Sequence, residues 1–203
     1  MDKEEREYQE KYGNIPSNLS GRIDILTRGN NQSIRGRIIN EVNRVLGIEW
    51  KTVRIVVWLV PKPTPRPRYS SSSHTFYVKG AADNHKRFAK FLKKENLEQI
   101  ETPCTFRVTS YLPTPTSMTK LEKIIAELGL VAPISTPDWD NLGKTYSDMV
   151  QNALILNDAL IFRGESTKFY SIKPRVEIEI SYMTDFDSNY NKKKILNMKK
   201  GMK

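Results

Sequence analysis

Apolar residues recur along this chain with two different periods, and each change of period marks a change of element. Over residues 33–46, Ile34, Ile38, Ile39, Val42, Val45 and Leu46 share one helical face, Arg35, Arg37 and Arg44 lie off it, and Gly47 closes the helix. Residues 53–60 are a β-branched run that predicts a buried strand, stopped by Pro61, Pro63, Pro65 and Pro67. Those prolines stiffen an extended arm that displays Lys62, Arg66 and Arg68. The serines at 70–73 predict a flexible tip, and residues 75–78 a short strand. Residues 83–96 predict an amphipathic helix with Phe88, Phe91 and Leu92 inward and Lys86, Arg87, Lys90, Lys93 and Lys94 outward.

Strict alternation returns at 105–112, with Phe106, Val108 and Ser110 on one face and Arg107, Thr109 and Tyr111 on the other. Thr119 and Glu122 have the spacing of a capping box that opens a helix through Leu128, and Gly129 ends it. Leu142, Tyr146, Met149, Val150 and Ala153 follow helical spacing, with Asp140 placed to cap them. Residues 159–171 read as a long strand and 175–182 as a cleanly alternating one, with Glu177 and Glu179 on its solvent face. This order of elements predicts an α+β fold, a small mixed sheet of about four strands with helices packed mainly on one face. The divisions expected are a partly helical N-terminal extension over 1–50, a central domain over 51–184, and a basic, disordered tail over 185–203. The extension reads either as a helix docked on the domain or as an arm that contacts DNA or supports a dimer, and its first seven residues as frayed or as a solvated helix.

Charge narrows the function. Among 203 residues, Lys and Arg number 33 against 23 Asp and Glu, a net charge of +10, which favours a polyanionic partner. No apolar run is long enough to span a bilayer, so no membrane role is expected. A lone Cys104 excludes an internal disulfide framework and fits a reducing cytosol, and with two histidines a structural zinc site is not expected. The lysines at 192–194, 199 and 200 predict affinity for nucleic acid without sequence reading.

Against this basic background the acidic string PDWDNLGK at 137–144, followed by Asp148 and by Asn157-Asp158, stands out. On an extended backbone Asp138 and Asp140 leave the same face. Paired carboxylates repel unless a proton or a divalent cation sits between them, and hard oxygen ligands favour Mg²⁺ or Mn²⁺. Lys144 and Asp148 lie one helical turn apart on a common face. Read singly, each has a plainer role: Asp140 as a cap, Asp138 and Asn157-Asp158 as turn residues, and Lys144 with Asp148 as an exposed pair worth a few tenths of a kcal/mol. Glu165 with Lys168 invites comparison with the E-x-K of restriction-type nucleases, but the spacing is one residue too long.

The string PDWDNLGK, Asp148 in SDMV, LNDALI and the later Lys168-x-Tyr170 together resemble the signature of the RusA-like Holliday-junction resolvases, the crossover junction endodeoxyribonucleases. The likeness spans roughly residues 53 to 182, and Pro65-Arg66-Pro67-Arg68 resembles the R-P-R segment of many members. It implies metal binding by Asp138, Asp140 and Asp158, with Asp148 as a further candidate, and catalysis by these three aspartates with Lys144. It also implies Mg²⁺ (or Mn²⁺) as the sole cofactor with no small-molecule cofactor, a homodimer, and four-way-junction DNA as substrate in a bacterial or phage-infected cytosol. DNA contacts are expected from Arg66, Arg68, Lys86, Arg87, Lys90 and Lys168. The chain departs from the pattern where an acidic pair becomes Asn157-Asp158, where an Asn-Gly turn becomes Gln151-Asn152-Ala153-Leu154, and where Ile134-Ser135-Thr136 carry no basic residue. The amide at Asn157 keeps open a non-catalytic branched-DNA-binding protein of the same fold, and a flap or single-strand nuclease stands as the other alternative.

Overall fold

The computed structural model describes residues 2–64, 68–69, 75–76 and 81–201, with the backbone alone at 68, 69, 75, 76, 81–83, 85 and 201. In chain order the elements are α1 (Lys3–Tyr12), α2 (Ser17–Leu26), α3 (Gln32–Leu46), β1 (Trp50–Val57), β2 (Arg68–Tyr69), β3 (Thr75–Phe76), α4 (Ala81–Glu95), β4 (Cys104–Pro113), α5 (Lys120–Glu127) and α6 (Trp139–Val150). A 3₁₀ turn at Asp158–Leu160 leads into β5 (Ile161–Ser171), then β6 (Arg175–Met183) and α7 (Asn189–Gly201). The chain forms two units, one of Met1–Glu49 with Met183–Lys203 and the other of Trp50–Tyr182. Arg66, the serines at 70–73, His74 and the end of the strand expected at 75–78 fall outside the described residues; Arg68 and Phe76 pair within an antiparallel β2–β3 ladder.

In the first unit the chain start is the solvated helix of the two alternatives, and it is capped. The Asp2 side chain accepts from the Glu5 amide at 2.8 Å and Glu5 accepts from the Asp2 amide at 3.0 Å, satisfying two otherwise orphaned donors. Tyr12, Ile15 and Ile23 form a small core with Tyr8, Leu19, Ile38, Ile39 and Val42 around it. Helix α2 supplies Leu19 and Ile23, and its scattered Ser, Asn and Gly residues hid it from the periodicity. Gly13 has φ +64, and a Cβ there would lie 2.9 Å from Asn43 Oδ1, whose amide group bridges Asn14 N and Tyr12 O. The Tyr12 hydroxyl donates to Asp24 at 2.7 Å and, with Arg35 close by, holds that carboxyl below its ordinary range.

The tail expected to be disordered is the helix α7. Ile195 is buried, Asn191 Nδ2 donates to Asp187 Oδ1 at 2.7 Å, and Arg44 donates to the carbonyls of Phe186 and Asp187 at 3.2 and 2.8 Å. One buried side chain and these caps offset the polar composition that pointed to disorder.

The second unit is built on a four-stranded sheet of order β1-β6-β4-β5, with β4 antiparallel to β6 and parallel to β5. Phe106, Val108 and Leu112 of β4 and Val176, Ile178 and Ile180 of β6 are buried on one face. Leu142, Tyr146 and Val150 of α6 are fully buried, and Tyr146 meets Phe88 of α4 with ring centroids 5.9 Å apart. Each such aromatic contributes about 1.5–3 kcal/mol by burial. The sheet's opposite face carries Arg107, which reaches Glu165 at 3.1 Å and Glu179 at 3.3 Å, with Arg54 on Glu179 at 2.7 Å. Strand β1 differs from expectation: it begins at Trp50 and is an edge strand, so Ile55 and Val57 are buried while Val56 is exposed. An edge strand with one covered face buries only alternate residues, whatever its β-branched content.

Cys104 opens β4 fully buried, and burial pushes its thiol up to about 12. The native protein should therefore not react with a thiol-specific disulfide reagent near pH 8 until denaturant is added; rapid native labelling would contradict this burial. The folded pKa lies above the unfolded value of roughly 8.5, so the contribution is present below that pH and is lost as pH rises toward 12.

Candidate active site

Helix α6 starts two residues earlier than the capping expectation. Asp138, extended at φ -69 and ψ 145, holds the N-cap position, and its carbonyl accepts the helix's opening bond from Leu142 N at 3.2 Å. Asp140 instead lies in the first turn, where the positive end of the helix favours a carboxylate. The aspartates are thus a cap and a first-turn residue, not neighbours along a strand. The helix ends at Val150, leaving Ala153 in the turn beyond it.

The buried run Leu154-Ile155-Leu156 then returns the chain toward the sheet, fixed by Ile100 N to Leu154 O at 2.7 Å and Leu156 N to Ile100 O at 3.0 Å. Asn157 caps the 3₁₀ turn, its Oδ1 accepting from Ala159 N at 2.9 Å. Asp and Asn cap equally well, so the amide that departs from the acidic pattern performs a local backbone task here. Asp158 follows immediately, exposed, at the head of β5.

These pieces meet in an open cleft of about 370 Å³ lined by Phe106, Trp139, Asp140, Gly143, Lys144, Ser147, Asp158, Ile161, Gly164, Glu165 and Ser166. The structure therefore brings together Asp140 and Lys144, one helical turn apart on α6, with Asp158 from the head of β5. Asp138 does not line this cleft, and its Oδ2 lies 3.4 Å from the Asn141 amide; Asp148 is exposed a further turn along α6 and does not line it either. Glu165 also lines the cleft, although the sequence set it aside because its spacing to Lys168 is one residue longer than E-x-K. Its approach depends on the parallel register that sets it opposite Arg107, a non-local fact.

One face of β5 holds the motif in place. Ser166 Oγ donates to Trp139 O at 2.7 Å, Lys168 Nζ donates to Ser135 O at 2.7 Å and to Pro137 O at 3.1 Å, and the Tyr170 hydroxyl stands 3.4 Å from Ser135 Oγ. Alternate strand residues thus form three rungs beneath the turn that delivers Asp138 and Asp140. Lys168, expected from its charge to contact DNA, has its ammonium engaged by two backbone carbonyls. Gly143 permits the close approach of helix to strand, since a Cβ there would lie 3.0 Å from Ser166 Cβ.

The other side of α6 moors the root of the basic arm. Thr64 N donates to the buried Thr145 Oγ1 at 2.7 Å, and Asn84 Nδ2 of α4 donates to Val60 O at 2.9 Å. Burial pushes the Tyr146 phenol up, partly offset by the backbone of Lys62. Lys86, Arg87 and Lys90 are exposed along α4.

The model of the family described as Endodeoxyribonuclease RusA matches residues 59–181, more than half the chain and all of the elements that form the cleft. The chain belongs to the RusA family. The chain is also 28% identical over 134 residues to the uncharacterized protein YqaN of Bacillus subtilis (strain 168), covering 63% of this chain and 94% of that protein. Both matches cover part of this chain rather than all of it. Among the described residues no helix is long and apolar enough to cross a membrane.

A divalent metal fits the donor set in part. Among the described residues no group of three or more His, Cys, Asp and Glu side chains is placed to hold an ion. Asp140 and Asp158 nevertheless offer hard oxygens in one open cleft. Mg²⁺ is commonly held by one or two carboxylates plus waters and substrate phosphate oxygens, so an open pair suits it better than a closed cage.

Proposed function

We propose that the protein is a Mg²⁺-dependent endodeoxyribonuclease that resolves Holliday junctions by paired symmetric nicks. The observation that carries this reading is the meeting of Asp140, Lys144 and Asp158 in one cleft of a RusA-family chain. Asp140 and Asp158 would hold the metal, with Asp138, two residues before Asp140, as a further ligand candidate. When bound, such an ion supplies a water of lowered pKa and charge stabilisation at the phosphoryl oxygens. The Lys144 ammonium, exposed in the same cleft, meets the anionic phosphate and stabilises charge that grows on it as the bond breaks. Asp148, one turn beyond Lys144 on α6, is placed to orient that side chain.

Lys86, Arg87 and Lys90 on α4, with Arg66 and Arg68 of the arm, supply phosphate contacts that read no sequence. Two symmetric nicks in a four-way junction call for two equivalent sites, which a two-fold homodimer provides. The capping role of Asn157 gives the amide a local purpose, which supports the catalytic reading over the non-catalytic one.

The test is incubation of a labelled four-way junction with Mg²⁺ or EDTA, beside matched duplex, flap and single-stranded DNA. The expected result is paired nicks in the junction alone, absent in EDTA. Binding without nicks in Mg²⁺ or Mn²⁺ would leave only a branched-DNA-binding protein, and preferential cutting of the flap would assign a different nuclease.

A further inference from the structure

We propose that Trp139 is a stacking platform for an unpaired nucleobase next to the reacting phosphate, an inference that rests on the endonuclease reading above. Trp139 lies between Asp138 and Asp140, and its side chain lines the cleft with Asp140, Lys144 and Asp158. It is 61% exposed, whereas Leu142, Tyr146 and Val150 of the same helix are fully buried. The indole therefore adds little to the core, yet its backbone is fixed. Its carbonyl accepts from Ser166 at 2.7 Å, and that of Pro137, two residues before, accepts from Lys168 at 3.1 Å.

A large ring on a fixed backbone, open to solvent beside a lysine that faces phosphate, suits one kind of ligand. Base–aromatic stacking needs a free π-face and tolerates any base. Bases inside a continuous duplex have no free face, while bases unstacked at a branch point do. The preferred partner is thus DNA with an unpaired or unstacked base at the point of cleavage. Trp139 would favour branched DNA through shape, apart from the phosphate contacts, which act on any DNA.

The other two tryptophans allow a clean readout. Trp50 packs edge-on against Phe162 at 6.2 Å, Trp58 lies under Arg175 at 5.7 Å, and neither lines the cleft. In a Trp50→Phe/Trp58→Phe background, Trp139 is the sole indole. Its fluorescence should be quenched by a four-way junction or by a duplex with one unpaired base, and be unchanged by fully paired duplex, all in EDTA. In the otherwise native chain, Trp139→Ala should weaken binding to those branched or bulged DNAs about tenfold, and to paired duplex less than about twofold. Trp139→Phe should retain most of the affinity, while Trp139→Leu should behave as the alanine variant.

Equal losses on paired duplex, full affinity with leucine, or an unquenched indole would each overturn the proposal. Because every readout is binding in EDTA, failure of the native protein to cut junctions would sink the nuclease reading and leave these results standing. Failure of the native protein to favour junction over duplex would sink both.

Discussion

Replacing Asp158 by Asn should abolish junction cleavage while leaving junction binding and folding intact. Asp158 is exposed at the head of β5, so the change removes a charge without disturbing the core. The turn it occupies is capped by Asn157 rather than by Asp158, so the local backbone should survive. The lost carboxylate lines the same cleft as Asp140 and Lys144. Loss of a group that acts chiefly on the transition state lowers kcat and kcat/KM together, here by on the order of a thousandfold or more. Asp140→Asn should match it. The check is single-turnover cleavage beside binding in EDTA. Variants that bind tenfold more weakly but cut bound junction at the native rate would make these residues binding groups.

The second large effect is expected from a residue that need not touch DNA. Lys168→Met keeps the length and bulk of the side chain but removes both donors that hold Ser135 O and Pro137 O. The freed carbonyls lie at an exposed segment and can take water, so the fold should lose only about 1–3 kcal/mol. The turn delivering Asp138 and Asp140, however, loses its central rung. A displacement of about 1 Å in such a site costs on the order of a hundredfold in rate. The expected pattern is therefore a large fall in kcat with junction affinity and its salt dependence unchanged. A phosphate-contacting lysine would behave otherwise, weakening binding and lowering the salt slope by about one. Measuring affinity across a salt series decides between these roles.

What could be read from the sequence followed the range of the interactions involved. The Thr119–Glu122 capping box, the alternation of β4 and β6, and the one-turn spacing of Lys144 and Asp148 are local, and all appear in the structure. Asp158 was legible through its motif. Glu165 was noticed but set aside on its spacing to Lys168, because its place is set by the non-local β4–β5 register rather than by the local string. The structural bonds of Lys168 were hidden for a similar reason: its acceptors lie 33 and 31 residues away, and nothing local distinguishes a structural ammonium from a phosphate ligand. The order of the tail was hidden because composition records average polarity, whereas one buried Ile195 and the caps before it set the outcome.

That ordered tail alters what its lysines can do. Along α7 each residue rises about 1.5 Å, so the exposed Lys193 and Lys200 stand two turns and roughly 10 Å apart on nearly the same side. A floppy polycation surrenders conformational freedom when it condenses on a polyanion, and that loss subtracts from its attraction. In this chain the freedom is already spent on folding, so the lysines meet an approaching polyanion as a rigid row of charges with a fixed pitch.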